Sequence, residues 1–236
     1  EAVGRTFKPL WRAKKDFKVH EGGDHILLFV FELETDAKRV LANGPWTFDK
    51  HVVLLQRSDG STLARYLRFT NLKIWVQIHG LPMRMLDSKI AIELGETLGQ
   101  VTPCENSSEL VGGDFLYVPV EIDVSKPLCR AQRIALDDNE EIWVSFKYEK
   151  LPNFCYWCGL ISHDGKDYEI WLTRKDSEKI EPHEYGPWLR AAPYNPGKTL
   201  FIVVPGMGDN LGGVSRPSQR SKTEKSSATA ARSTRE

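Results

Sequence analysis

The sequence is poor in cysteine and has no long hydrophobic run. Four cysteines in 236 residues are too few for a disulfide framework. We therefore expect Cys104 and Cys129 to be free thiols, which fits a reducing compartment, either the nucleus or the cytoplasm. Because no run of about 18 apolar residues occurs and no secretory signal is visible, the sequence predicts no membrane partner.

The chain also lacks an excess of either charge. Lysine plus arginine and aspartate plus glutamate number 32 each, so the basic character that often accompanies nucleic-acid binding is absent overall. The charge is nevertheless uneven, because residues 214–236 carry six Lys/Arg and two Glu, a net charge of +4. Such a composition is typical of a nucleic-acid-binding tail and equally of a solvated end, and its scarcity of apolar residues predicts disorder.

Catalytic motifs are absent as well. Six histidines are scattered along the chain. No Gly-x-Ser-x-Gly, phosphate loop, Gly-x-Gly-x-x-Gly or His-Glu-x-x-His pattern occurs. We therefore expect a protein that is not an enzyme.

One compact group of metal-ligating residues is present. The Cys-x2-Cys spacing of Cys155 and Cys158 places two thiolates on one tight turn, and His163 follows five positions later. Zinc prefers four nitrogen or sulfur donors in a tetrahedron. Residues 159–162 form a loop long enough to bring His163 over the same ion, so the sequence predicts three zinc ligands. The alternative for the cysteine pair alone is two ordinary reduced thiols in an apolar turn.

Two stretches carry a family resemblance. Residues 148–159 read Tyr-Glu-Lys-Leu-Pro-Asn-Phe-Cys-Tyr-Trp-Cys-Gly, and residues 75–82 read Trp-Val-Gln-Ile-His-Gly-Leu-Pro. They resemble a plant family in which a domain of unknown function precedes a Cys-x2-Cys-x4-His-x4-Cys zinc knuckle. That family is similar to the gag-like first reading frame of LINE-type retrotransposons. The resemblance implies that the chain binds zinc and nucleic acid.

The fourth ligand of this family pattern falls on Tyr168. A phenol with a pKa of about 10 is a poor zinc ligand at neutral pH. Three alternatives therefore stay open for the fourth position. A carboxylate of Asp164, Asp167 or Glu169 supplies the donor, or water fills the position, or the knuckle has decayed and holds no metal.

Candidate nucleic-acid contacts lie in and around the knuckle. Tyr156 and Trp157 are placed to stack on unpaired bases, which is worth about 1–3 kcal/mol per base. The basic residues expected to neutralise phosphates are Lys147, Lys150, Lys166, Arg174, Lys175 and the arginines of the tail. Aromatic and basic residues together favour single-stranded RNA or DNA as the partner, and self-association is a further expectation.

Two alternatives compete with this reading. Trp157 could pack against Phe154 as part of a core, with the lysines forming an ordinary solvated surface. The whole chain could also be a decayed or domesticated protein-interaction module whose knuckle no longer functions.

Residues 1–58, the first block, predict two helices and two hairpins. Residues 5–13 read as the end of a helix or the approach to one, and a hairpin turns over residues 21–24. A second helix runs from an N-cap at Thr35 to a stop at Asn43-Gly44. A second hairpin turns over Asp49-Lys50. The apolar run Ile26–Phe31 predicts a central strand covered on both faces. This order resembles an RNA-recognition-type fold without its first strand.

Residues 59–150, the second block, predict a β-α-β-β-β-β order. Ile74, Val76 and Ile78 alternate along one strand, Asp87 is placed to cap a helix, and Pro119 indicates an edge position or a strand end. A knuckle at 151–172, an irregular segment at 173–213 and a basic tail at 214–236 complete the predicted organisation. The expected fold class is α+β, with mostly antiparallel sheets and a few short helices.

Overall fold

A computed structural model describes residues 2–23, 25–63, 66–103, 110–136, 140–163 and 183–194. The helices assigned within these ranges are α1 (Ala2–Trp11), α2 (Glu34–Ala42) and α3 (Ser88–Glu96). The strands of the first block are β1 (Phe17–Gly23), β2 (Ile26–Phe31), β3 (Trp46–Phe48) and β4 (His51–Val53). The remaining strands are β5 (Asn71–His79), β6 (Gln100–Val101), β7 (Leu116–Asp123), β8 (Ala131–Ala135), β9 (Glu141–Glu149) and β10 (Arg190–Ala191).

The first block is built around a small aromatic core. Phe7 and Trp11 lie four residues apart on α1, both are buried, and their rings stack at 4.6 Å. Val40 of α2 is the third buried member of this core. Aromatic side chains from the two hairpins pack around it, namely Phe17, Phe29, Phe31, Trp46 and Phe48. The predicted order of helices and hairpins in this block is confirmed.

The prediction that Ile26–Phe31 forms a central, doubly covered strand is wrong. β2 pairs with β1 in a two-stranded antiparallel sheet. Phe29 and Phe31 face the aromatic core, whereas Leu28 is 49% exposed and Val30 is 44% exposed on the other face. A continuous apolar run is therefore compatible with a hairpin that is covered on one face, which periodicity alone does not distinguish.

Thr35 is not the N-cap of the second helix. The N-cap is Leu33, which makes no side-chain cap hydrogen bond. The helix start is fixed instead by the buried Asp36, whose carboxylate accepts the backbone N–H groups of Lys14 (2.8 Å) and Lys15 (3.1 Å). Thus α2 is anchored through the loop that follows α1 rather than by a local cap. The predicted stop is confirmed, because Asn43 is the C-cap.

The second block contributes five strands, β5 to β9, to a six-stranded sheet, and β10 is the sixth. The strand order is β10-β9-β5-β7-β6, and β8 pairs with β9. The side chains of Ile74, Val76 and Ile78 are buried on one face, as their alternation predicts, and α3 adds Ala91 and Leu94 to the same core. Asp87 caps α3 through a hydrogen bond from the Lys89 N–H, as predicted.

Pro119 does not place β7 at the edge of the sheet. β7 lies between β5 and β6. β6 pairs only with Val120 and Glu121, and beyond it the Thr102 N–H donates to the Pro119 carbonyl at 2.9 Å. The missing N–H of proline is tolerated because the neighbouring strand ends at that point.

A buried carboxylate joins the end of β9 to the last described segment. Glu149 is 6% exposed and accepts hydrogen bonds from Gln77 Nε2 (2.9 Å), Tyr117 Oη (2.8 Å) and the Tyr194 N–H (2.6 Å). Gln77 Nε2 also donates to the Ala192 carbonyl at 2.9 Å. These contacts hold residues 190–194 against the sheet, where β10 pairs with β9 in parallel.

The predicted α+β class with mostly antiparallel sheets is confirmed, and the short β9–β10 pair is the parallel exception. The RNA-recognition-type resemblance and the domain limits at 58/59 and 150/151 stay predictions. Of segment 173–213, residues 183–194 are described, and the tail 214–236 lies outside the described residues. None of the described helices is long and apolar enough to cross a membrane.

Candidate zinc and nucleic-acid site

The knuckle begins directly after β9 of the sheet. β9 ends at Glu149, and Lys150 adopts a left-handed backbone conformation with φ of 48°. This residue turns the chain out of the sheet and into residues 151–163. The side chains of Leu151, Phe154 and Ile161 enter the main hydrophobic core. The described part of the knuckle is therefore packed into the core of the sheet.

Short backbone hydrogen bonds close the turn between the two cysteines. The Cys155 N–H donates to the Leu160 carbonyl at 2.8 Å, and the Gly159 N–H donates to the Cys155 carbonyl at 2.9 Å. Gly159 has φ of 76°, and a Cβ at this position would lie 2.3 Å from the Tyr185 ring. Glycine is required here both by the left-handed backbone and by the space that Tyr185 occupies.

Three metal-ligating atoms converge on one point. One ligand atom each from Cys155, Cys158 and His163 lie within 4.8 Å of one another, and Cys158 Sγ is 3.4 Å from His163 Nε2. Tetrahedral zinc with ordinary bond lengths separates neighbouring sulfur and nitrogen ligands by about 3.5 Å. The three residues predicted as ligands therefore have a geometry that fits zinc.

The hydroxyl of Ser162 contacts the imidazole of His163. The Nδ1 atom of the ring lies 3.2 Å from Ser162 Oγ. In the tautomer whose Nδ1–H donates to this hydroxyl, Nε2, the nitrogen facing Cys158, carries the free lone pair that a metal needs. Ser162 was not identified by the sequence reasoning, although its position beside a predicted histidine ligand is the signal that could have identified it.

The surroundings of Cys158 favour the neutral form of its thiol. Burial raises the pKa of the Cys158 thiol, and the neighbouring Cys155 sulfur raises it further. Cys155 is fully buried. A divalent cation favours the thiolate form of a coordinating cysteine, so metal binding at this turn is coupled to release of protons.

Arg190 fastens the knuckle to the sheet. Its Nη1 donates to Tyr156 Oη at 3.1 Å, its Nη2 donates to the Pro152 carbonyl at 3.1 Å, and its guanidinium lies 5.0 Å from the centre of the Phe154 ring. The Leu128 N–H adds a hydrogen bond to the Gly159 carbonyl at 3.0 Å. The sequence reasoning gave Arg190 no role.

The two aromatic residues between the cysteines have different surroundings. Tyr156 is half-buried, its ring lies 5.0 Å from that of Phe154, and its hydroxyl accepts the hydrogen bond from Arg190. Trp157 is also half-buried, and its ring lies 4.5 Å from His183 in an edge-to-face arrangement. It is Tyr156, not Trp157, that packs against the Phe154 side of the knuckle in the described residues.

The predicted basic contacts do not all lie at the knuckle surface. Lys150 Nζ donates to the Asn43 carbonyl at 3.0 Å, which links the end of β9 to the end of α2. Lys147 is half-buried on β9. The other predicted residues lie outside the described ranges, namely Lys166, Arg174 and Lys175 as phosphate contacts and Asp164, Asp167, Tyr168 and Glu169 at or near the fourth-ligand position.

Comparisons with known proteins match two separate parts of the chain. Residues 122–170 match the zinc knuckle family model, and residues 1–59 match that of a domain of unknown function, DUF4283. An uncharacterized protein of Arabidopsis thaliana is 26% identical over 132 residues. The matched region covers 56% of this chain and 41% of that protein, so the chain spans less than half of its curated relative. No solved structure matches the chain.

The zinc knuckle match begins well before the first cysteine. Residues 122–170 include β8 and β9 as well as the turn that holds the three ligands. The match thus covers the strands on which the knuckle is built in the structure. The chain is therefore similar to DUF4283 over residues 1–59 and to the zinc knuckle family over residues 122–170, which contain Cys155, Cys158 and His163.

Proposed function

We propose that the chain binds single-stranded nucleic acid through a zinc-holding knuckle, as a gag-like protein derived from a plant retrotransposon. We place it in a reducing compartment, the nucleus or the cytoplasm, and we propose a binding role rather than a catalytic one. The observation that carries the proposal is the convergence of three ligand atoms within 4.8 Å.

Zinc at this turn would supply a fixed positive charge that holds the two thiolates and the imidazole together. The residues of the chain do the rest. Tyr156 and Trp157 lie between the two cysteines. Coordination of both sulfurs would therefore also fix the backbone that carries the two rings. A ring held in place loses little entropy when a base stacks on it, which favours sequence-tolerant binding of unpaired bases.

Trp157 is the better candidate for base stacking. The hydroxyl of Tyr156 is engaged by Arg190, and its ring packs beside Phe154. Trp157 lies beside His183, which offers a second ring for a base to contact. We therefore assign the main stacking contact to Trp157 and a supporting role to Tyr156.

The test measures affinity for a uridine oligonucleotide as a function of salt, together with the zinc content of the protein. Trp157→Ala should weaken binding by about 5- to 150-fold, which corresponds to about 1–3 kcal/mol. Cys158→Ser should lower zinc content and affinity together. Trp143→Ala is the matched control, because this tryptophan of β9 is 66% exposed and lies outside the knuckle. Equal affinities of the Trp157 and Trp143 variants would contradict the proposal.

A second candidate is a decayed or domesticated protein-interaction module with a non-functional knuckle. Tyr168 at the fourth-ligand position favours it. Protein purified without added metal separates the two candidates, because the second predicts no zinc and an affinity for RNA that does not change with salt.

Tyr168→Cys tests the same position from the opposite direction. A fourth thiolate should raise zinc affinity by orders of magnitude, because it completes the tetrahedron. Competition with a chelator of known affinity gives the measurement. Equal zinc retention by the wild type and the variant would show that Tyr168 does not stand at the fourth-ligand position.

A further inference from the structure

The knuckle turn lacks the charges that nucleic-acid binding needs. Residues 151–163 contain no lysine and no arginine, and Lys150 donates its ammonium hydrogen to the first block. Neutralisation of phosphates supplies most of the sequence-independent affinity for nucleic acid. Among the described residues, we therefore look for phosphate contacts outside this turn.

Such a surface lies at the start of the first block. Residues 2–20 carry six Lys/Arg against one aspartate, a net charge of +5 in a chain whose total charge is zero. All six side chains are exposed, and we call them the α1 basic surface; they are Arg5, Lys8, Arg12, Lys14, Lys15 and Lys18. The concentration of one charge on a defined part of the fold is the electrostatic footprint of a polyanion-binding site.

The fold holds these cations in a fixed frame. Phe7 and Trp11 are buried on one side of α1, so Arg5 and Lys8, three residues apart, share its solvent side. The backbone N–H groups of Lys14 and Lys15 are bound to the buried Asp36 carboxylate, which fixes the loop while both side chains stay exposed. The α1 basic surface is therefore presented by a helix, an anchored loop and a strand.

The acids near the surface offset only part of its charge. Asp16 Oδ1 lies 3.3 Å from Lys8 Nζ, but both side chains are more than 70% exposed. Salt bridges between exposed side chains contribute little free energy in water. Glu21 stands further along β1. The salt bridge between Lys8 and Asp16 therefore leaves the net charge of the α1 basic surface positive.

A groove opens beside these cations. It lies between α1 and the β1–β2 hairpin and has a volume of about 660 Å³. Its lining combines the cations Arg5, Lys8 and Lys15 and the acids Asp16 and Glu21 with the apolar residues Val3, Phe17, Val19, Leu27 and Phe48. Apolar and aromatic walls with cations at the rim suit the faces of unpaired bases and the phosphates between them. A base-paired duplex exposes no base face to such a groove.

We propose that the α1 basic surface and its groove form a second contact site for single-stranded nucleic acid, with phosphates on the cations and bases against the apolar wall. The inference rests on the proposed function, because it supplies the phosphate contacts that the knuckle turn lacks. It assigns to the DUF4283 domain the electrostatic part of binding and leaves stacking to the knuckle.

The test compares two triple variants of the full chain that remove the same charge. Lys14→Gln/Lys15→Gln/Lys18→Gln removes part of the α1 basic surface. Lys73→Gln/Lys89→Gln/Lys126→Gln is the matched control, because these three lysines are also exposed but lie in the second block. The affinity for a uridine oligonucleotide is measured as a function of salt, and circular dichroism checks that each variant is folded.

The Lys14/Lys15/Lys18 triple variant, called the α1 variant below, should flatten the slope of log K against log salt by about 2. Each single-strand phosphate contact contributes about 0.7 to that slope. At about 0.1 M salt this corresponds to an affinity loss of about 10- to 100-fold, whereas the control changes little. Equal slopes for the two triple variants would overturn the inference. If the triple variant fails to fold, Lys18→Gln alone should still flatten the slope by about 0.7.

Two further measurements separate this inference from the proposed function. The difference between the triple variants should persist in a Cys158→Ser background, where the knuckle contribution is removed. If the α1 variant loses binding but Trp157→Ala has no effect, the proposal that the knuckle stacks on bases is contradicted. The inference about the α1 basic surface then still holds. Equal affinity for a duplex of the same length would overturn the assignment to single strands, and a wild type that binds no oligonucleotide would overturn both.

Discussion

The first block and the six-stranded sheet differ in how much core they bury. Among the described residues, the first block has three buried hydrophobic side chains, Phe7, Trp11 and Val40, surrounded by partly buried rings. The core around the six-stranded sheet has twenty buried hydrophobic side chains among the described residues. They include Leu151, Phe154 and Ile161 of the knuckle. The knuckle thus belongs to the larger core, whereas the α1 basic surface stands on the smaller one.

This difference separates two tasks that a nucleic-acid-binding chain must combine. A metal site needs ligands held within fractions of an ångström, which a large packed core provides. A phosphate-binding surface needs exposed charge, and a small core with one covered face leaves many side chains in solvent. The predictions below test whether the two regions are as independent as their cores indicate.

The largest effect is expected from truncation of a core residue of the sheet. Phe146→Ala removes a side chain that is 1% exposed and should lower the free energy of unfolding by about 3–5 kcal/mol. Zinc content should fall with it, because Phe146 belongs to the core that contains Phe154. Urea unfolding and metal analysis provide the measurements.

Phe7→Ala provides the comparison in the first block. It should lower the free energy of unfolding of the first block by a similar amount, about 3–5 kcal/mol. Zinc content should stay at the wild-type value. A loss of zinc in this variant would show that the two regions are coupled.

Gly159→Ala should have the next largest effect. A left-handed backbone costs a non-glycine residue about 1–2 kcal/mol, and the added methyl group would overlap the Tyr185 ring. We expect the affinity for zinc to fall, as measured by competition with a chelator. Gly60→Ala is the matched control, since Gly60 has φ of 81° with open space around it. Zinc affinity that falls equally in both variants would contradict the role given to Tyr185.

Arg190→Leu should have a moderate effect confined to the knuckle. It removes the hydrogen bonds to Tyr156 Oη and to the Pro152 carbonyl, at a cost of about 1–3 kcal/mol. Hydrogen exchange of the Cys155 and Gly159 amides should become faster. Arg133→Leu is the control, because its bond to Glu141 joins two exposed side chains and contributes little. Unchanged exchange in the Arg190 variant would mean that this arginine does not fasten the turn.

The smallest effect is expected from removal of zinc. Free-standing zinc fingers unfold without metal, whereas Leu151, Phe154 and Ile161 keep this knuckle in the core of the sheet. Chelation should therefore leave a cooperative unfolding transition. At a free zinc concentration of about Kd, loss of the ion should lower the free energy of unfolding by about 1 kcal/mol or less, because only the folded protein holds it. Loss of the cooperative transition on adding chelator would contradict this account.

The sequence alone determined the elements and the ligands. Hydrophobic alternation located Ile74–Ile78, turn residues located both hairpins of the first block, and the spacing of Cys155, Cys158 and His163 identified three residues that the structure brings within 4.8 Å. These features were readable because they depend on residues that are close in the chain, where backbone geometry limits the possible arrangements.

Only the tertiary structure decided what surrounds these elements. The anchoring of α2 by Asp36 and the contact of Arg190 with Tyr156 join residues 21 to 34 positions apart. The exposed face of β2 depends on how the sheets pack. The groove beside the basic residues of α1 likewise exists only where the helix meets a hairpin. Local patterns do not encode such contacts, because they depend on how elements pack after they have formed, and many distant partners are compatible with the same periodicity.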